Sequence, residues 1–154
     1  MHKKKQQHLV LVIFLAVLLV IGFLGGRFLL SSPSSQAKAV VDQFYSYEQD
    51  ANFSGSWKLL HPYMKEKFHK AAYIQDRSHV FIGHFGAETF SYEISEAEEL
   101  KGWKAAKGEK PFDTAFRFEV TQRYTGKYGR FSFLQEVYVV EYKEDWVILW
   151  DFNH

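Results

Sequence analysis

The stretch Phe131-Ser-Phe-Leu-Gln-Glu-Val-Tyr-Val-Val-Glu-Tyr-Lys-Glu-Asp-Trp-Val-Ile-Leu-Trp-Asp-Phe152 decides the fold. It divides into two runs, 131–142 and 146–152, joined by Lys143, Glu144 and Asp145. β-branched and aromatic residues dominate both runs, as a pleated, half-buried surface favours, and the pair predicts a hairpin. In the second run Trp146, Ile148, Trp150 and Phe152 share one face, while Val147 and Leu149 share the other. A strand apolar on both faces is covered on both. The hairpin is therefore expected at the centre of one curved sheet.

Upstream, Phe116, Phe118 and Val120 alternate with Arg117, Glu119, Thr121 and Arg123, which predicts another strand. Thr125 to Gly129 supplies a turn with two glycines. Thr89 to Ser95 alternates in the same way, and Leu100 and Trp103 extend it past the acidic step 96–99. Further back the period changes. Val40, Val41, Phe44 and Tyr47 are spaced for a helix over about 36–51, capped by Ser34 or Ser35. Asn52 or Ser54 caps a short second helix holding Trp57, Leu59 and Leu60. His61-Pro62 opens a third piece over about 62–76, because proline suits the first helical turn. Helices first and strands afterwards predict an α+β domain, about three helices packed on a curved antiparallel sheet and wrapped into a cone.

The chain has 154 residues, 47% hydrophobic and 18% aromatic, enough for one domain with a substantial core plus an appendage. Lys3, Lys4, Lys5 and Arg27 lie in the first thirty residues, which hold no acid. Removing those 4 from the 19 Lys and Arg leaves 15 against 18 Asp and Glu, so the remainder is about −3. A mildly acidic domain without a basic stripe argues against a nucleic-acid partner. There is no cysteine, which excludes disulfides, thiol catalysis and thiolate metal sites.

Residues 1–8 read as a basic cytoplasmic tail, and 9–30 as an apolar transmembrane anchor of the ~20-residue length that a bilayer requires. Residues 31–35 read as a serine linker, and 36–154 as an extracytoplasmic domain. The lysines before the apolar run put the N-terminus inside, so the expected location is the cell membrane, spanned once. Gly22 and Gly26 have the spacing of a helix-pairing motif. The competing reading is a secreted form cleaved near Ala37-Lys38-Ala39, but that site lies far beyond the apolar run.

The order of elements resembles the nuclear transport factor 2-like, or cystatin-like cone, superfamily. The stretch AVVDQFYSYEQDANFSGSWKLLHPYMKEKF (39–68) is similar to that family's opening helices, and 124–152 to its last hairpin. Lys143-Glu-Asp-Trp146 through Trp150-Asp151 looks like the end of the non-catalytic N-terminal domain of membrane-anchored penicillin-binding proteins. The resemblance covers about 36–152 and rests mainly on core residues, so it implies fold far more than activity. No transpeptidase-like domain follows before His154, and no catalysis is expected from one.

Two kinds of site remain. A pocket at the open end of the cone would draw on Trp57, His84, Tyr92, Asp113, Arg117, Tyr124, Tyr138 and Trp150. A pocketed Asp or His beside a tyrosine donor would suit a small-molecule sensor or an isomerase/dehydratase-type enzyme. The simpler alternative is that these aromatics fill the cone as core. An interface would draw on Val137, Val139, Val147 and Leu149, apolar positions spread over both sheet faces. The resemblance agrees, since such domains commonly pair through the sheet; a loop or the 97–103 segment covering that face is the equal alternative. No metal site is expected, because His61, His69, His79 and His84 lack ligand spacing, and no cofactor is expected. The overall expectation is a non-catalytic accessory module of the cell envelope, binding a protein partner or a second copy.

Overall fold

Five antiparallel strands form one sheet in the computed structural model, which describes residues 32–84, 86 and 89–151 together with Ile13 and Ala16. They are β1 (Phe90–Ile94), β2 (Glu98–Trp103), β3 (Phe112–Gly126), β4 (Gly129–Tyr142) and β5 (Asp145–Leu149). Ahead of them come α1 (Pro33–Gln49), α2 (Phe53–Lys58), α3 (Pro62–Lys67), α4 (Lys70–Arg77) and a π-helical turn, Ser78–His84. The domain is α+β, as its order of periods predicts.

The long β3–β4 hairpin is the spine. Its register runs from Gly126↔Gly129 to Ala115↔Val140, and β5 continues it through Tyr138↔Leu149 to Tyr142↔Asp145. Lys143 and Glu144 both adopt positive φ, 52° and 71°. A two-residue loop of that hand matches the twist of the strands it joins. β1 and β2 both pair with the same edge of β3, one after the other. Between them Ser95 substitutes for a ladder residue. Its N–H donates to the Glu119 carbonyl at 3.0 Å, and its Oγ accepts from the Glu119 N–H at 3.0 Å. The interruption therefore leaves no backbone group of Glu119 unpaired.

Alternation along β3 assigns the two faces. Phe116, Phe118, Val120, Gln122 and Tyr124 are buried toward the helices, while Arg117, Glu119, Thr121 and Arg123 face the other way. α1 lies across the sheet and touches β1, β3, β4 and β5. It buries Ala37, Val41, Phe44, Tyr45 and Glu48, one face at helical spacing. Phe44, Tyr45, Leu60, Met64, Phe118 and Ile148 fill the space between the layers without solvent exposure. Each such apolar side chain contributes roughly 1.5–3 kcal/mol.

The turn into α2 depends on one glycine. A Cβ on Gly55 would lie 2.8 Å from the Asn52 amide nitrogen, while Asn52 caps α2 by accepting from the Gly55 N–H at 3.0 Å. Leu59 to His61 then runs along β5. His61 N–H donates to the Ile148 carbonyl at 2.8 Å, and Ile148 N–H donates to the Leu59 carbonyl at 2.9 Å. That pairing closes the outer edge of β5.

The expected fold needs correction. No helix among the described residues is long and apolar enough to cross a membrane. The anchor expected over 9–30 lies outside those residues, Ile13 and Ala16 excepted. The described domain after residue 32 has four α-helices rather than three, because the expected piece over 62–76 breaks at Phe68 and His69. The linker is shorter than expected: Pro33, Ser34 and Ser35 already belong to α1. β5 stops at Leu149, where Trp150 sets its ring against Phe44 and Phe68.

Candidate functional site

The eight residues expected to share a pocket are spread over both sides of the sheet. Trp57 lies on α2, its indole N–H bonded to the Phe68 carbonyl at 2.8 Å, with the ammonium groups of Lys65 and Lys70 over its ring. Trp150 meets the same Phe68 ring from the sheet at 5.7 Å. Tyr92 donates to the Asp42 carboxylate at 2.8 Å, and burial together with that acceptor pushes its pKa up to about 12. Tyr124 is buried on the helix side and donates to Gln122 Oε1 at 2.8 Å. His84 is exposed and shares a hydrogen bond of 2.9 Å with His79. Asp113 sits at the far end of β3, on a groove of about 450 Å³ rimmed by Pro111, Glu141, Lys143 and Glu144. Arg117 and Tyr138 face away from the helices. No converging pocket arises from these eight.

Arg117 and Tyr138 are nevertheless register partners, and Glu136 joins them. Glu136 accepts from Arg117 at 2.8 Å and from Tyr138 Oη at 2.9 Å. Arg117 also holds Glu98 at 2.8 Å, and Arg123 holds Glu93 at 2.8 Å. Burial, then the Glu136 hydrogen bond, raises the Tyr138 hydroxyl to about 12. The outer face of the sheet thus carries a row of ion pairs, individually worth about 0–1 kcal/mol because solvent screens them.

Val137 and Val139 are fully buried beneath the helices. Val147 and Leu149 lie on the opposite face, yet they too are buried. On that face Trp103 lies over Tyr138, the register partner of Leu149. Trp103 stacks on Tyr138 with ring centres 4.2 Å apart and planes at 8°, and Phe112 stacks on Trp103 at 6.0 Å. Ala105 is buried in the same cluster. The four expected interface residues are therefore core in this domain.

The outer face is covered over only half its length. Beyond Tyr138, Leu134 is 67% exposed on that face and Phe133 is 42% exposed on the other. β5 pairs with β4 only over 138–142, so the outer edge of β4 from 129 to 137 has no neighbouring strand among the described residues. The alternation of 131–142 signals a strand, but the shortness of its partner, which opens this surface, has no signal in composition.

A second arrangement escaped the sequence pattern. Glu48, at the end of α1, is buried and accepts from Tyr73 Oη at 2.7 Å, from Arg77 Nε at 2.6 Å and from Ser56 Oγ. Its position among polar neighbours reads as a solvated helix face, and only the docking of α2 and α4 reveals otherwise. Burial works against the charge of Arg77, but Glu48 beside it more than offsets this and holds the guanidinium above its ordinary value. Burial, reinforced by Glu48, pushes the Tyr73 hydroxyl well up. Burial likewise raises Tyr45, which donates to Gln135 at 3.0 Å. These groups spend their polar atoms on one another. A buried ion pair of this kind fixes how three helices meet.

Ser35-Gln36-Ala37-Lys38 has the Ser-x-x-Lys spacing of some acyl-transfer enzymes. It occupies the first turns of α1, where Ser35 is exposed and Lys38 Nζ pairs with Glu96 at 3.0 Å. Among the described residues no group of three or more His, Asp or Glu is placed to hold a metal ion. No family model matches the chain, and no curated protein does.

Proposed function

We propose that residues 33–151 form a nuclear transport factor 2-like domain acting as a non-catalytic binding module, an accessory part of a cell envelope. It contacts a protein partner through the half of the sheet that neither helix nor loop covers. The observation that carries this reading is Leu134, two-thirds exposed among ion-paired Arg117, Glu136 and Arg123. An apolar centre with a polar rim is the usual anatomy of a protein contact. Helices that precede a single antiparallel sheet support the family assignment. Against a sensor or isomerase pocket stands the dispersal of the eight pocket residues, with Glu48, Tyr73 and Arg77 bonded to one another.

A location outside a membrane with the N-terminus inside is carried by the sequence alone, through Lys3, Lys4 and Lys5 ahead of the apolar stretch 9–24. Fractionation of the full chain tests it: recovery in the soluble fraction contradicts it. For the binding module, Leu134→Asp leaves the melting curve unchanged and abolishes partner recovery from cells. Unchanged recovery overturns the reading.

A further inference from the structure

The open edge of β4 has a defined chemistry. Gly126 and Gly129 close a two-residue loop, so they form a hydrogen-bonded pair. From there the odd residues of β4 bond to β3, and the even residues point their backbone groups away from it. The closing pair of the next hairpin, Tyr142↔Asp145, gives the same parity, because there the even residues bond to β5. The N–H and C=O groups of Arg130, Ser132, Leu134 and Glu136 therefore lie along an edge without a neighbouring strand among the described residues. All four of these residues are exposed. A long edge of this kind is a template for another strand.

We propose that the occupant is a second copy of this chain, which adds its own β4 antiparallel to this edge about a two-fold axis at Phe133. This rests on the protein-contact reading and names its partner. Charge complementarity selects both occupant and register. Of the two-fold registers, the one centred on Phe133 sets Arg130 opposite Glu136 of the partner subunit, twice. Centring on Ser132 sets Arg130 against Leu134, and centring on Leu134 sets it against Tyr138. Arg130 has no acidic partner among the described residues, whereas Arg117 and Arg123 already have theirs. The same register makes Arg130 with Glu136, and Ser132 with Leu134, hydrogen-bonded pairs. Phe133 falls on the axis as a non-hydrogen-bonded pair, its exposed ring against its symmetry mate. The two sheets become one continuous sheet.

The experiment uses the full chain in mild detergent. The chain holds no cysteine, so a disulfide formed by Phe133→Cys joins two copies. A non-hydrogen-bonded antiparallel pair brings its Cβ atoms to ~4.5–5.5 Å, close to disulfide reach. Under mild oxidation Phe133→Cys is expected to dimerise at least about tenfold faster than Tyr128→Cys at the hairpin tip, whose mates lie several residues from the axis. Equal rates overturn the register. Should loss of the Phe133 ring disturb the fold, sedimentation equilibrium of the unaltered chain and of Arg130→Glu decides. Replacing two attractions by two repulsions raises the dimer dissociation constant about tenfold or more. A chain monomeric at all concentrations, or an unchanged constant in Arg130→Glu, overturns the proposal. A monomer in which a photo-reactive residue placed at position 134 and irradiated in cells still forms an adduct with a different protein overturns edge pairing alone, whereas a monomer without any such adduct overturns the protein-contact reading as well.

Discussion

Arg77 Nε donates to Glu48 Oε2 at 2.6 Å across the packed ends of α1 and α4, and Tyr73 and Ser56 complete the shell of the carboxylate. Removing one partner leaves a buried charge uncompensated, whereas removing both does not. Arg77→Met is therefore expected to destabilise the domain by about 3 kcal/mol or more in urea unfolding. Glu48→Leu combined with Arg77→Met recovers a large part of that loss. If the double variant is as unstable as the sum of the singles, the two side chains are not coupled and the buried-pair account fails.

His61 supplies a pH dependence. Its Nδ1 accepts from the Tyr63 N–H at 3.1 Å, and its ring meets Tyr63, Phe112 and Tyr142. Burial, with a smaller contribution from the Lys65 ammonium, lowers its pKa to about 4. The unfolded chain takes up a proton near the ordinary value of 6.5 that the folded imidazole refuses. His61 therefore leaves stability flat above about pH 6.5 and lowers it, by on the order of 2–3 kcal/mol, as pH falls toward 4. Urea midpoints at pH 7 and 4.5 measure the slope, and His61→Asn should remove this component. An unchanged slope in that variant would assign the acid sensitivity to the carboxylates.

Trp103 is expected to act as a lid on the outer face. Trp103→Ala uncovers Tyr138 and the buried Val147 and Leu149 behind it, at a cost of about 2–3 kcal/mol. The variant should bind a hydrophobic fluorescent dye while keeping its far-ultraviolet circular dichroism. Trp103→Phe, which keeps a ring over Tyr138, should retain most of the stability. No dye binding in Trp103→Ala would mean that the loop recloses without the indole.

Ser95→Ala removes the acceptor of the Glu119 N–H at the break between β1 and β2. The expected cost is about 1 kcal/mol, since the strand gap is exposed and water replaces the hydroxyl. Hydrogen exchange should show faster exchange at the Glu119 amide, with little change at Phe118. Equal protection in both proteins would show that the hydroxyl does not carry that bond.

The β3–β4–β5 meander was legible because period-2 alternation of large side chains is a strong signal, and His61-Pro62 marked the start of a helix; that the His61 ring caps it was not legible. The faces were less legible. Val147 and Leu149 had to be apolar, but a pattern along one strand does not tell a partner protein from a loop of the same chain. The passage after Trp103 is charged at Lys104, Lys107, Glu109 and Lys110, so its composition hides the buried Ala105. Glu48 illustrates the converse. A carboxylate on a helix is read as solvated unless the residues that neutralise it are near in sequence, and Tyr73 and Arg77 are 25 and 29 residues away. The pocket failed because residues at opposite parity, such as Arg117 and Tyr124 on one strand, point to opposite faces.

The central claim is that the uncovered half of the sheet is a protein contact. A photo-reactive residue at position 134 of the full chain, irradiated in cells, measures it most directly, with position 58 on α2 as the control. A discrete protein adduct at 134, absent at 58, is the result predicted, and its mass tells a second copy from a different protein. No adduct at 134, together with a small molecule that raises the melting temperature, would contradict the claim and point to a pocket instead.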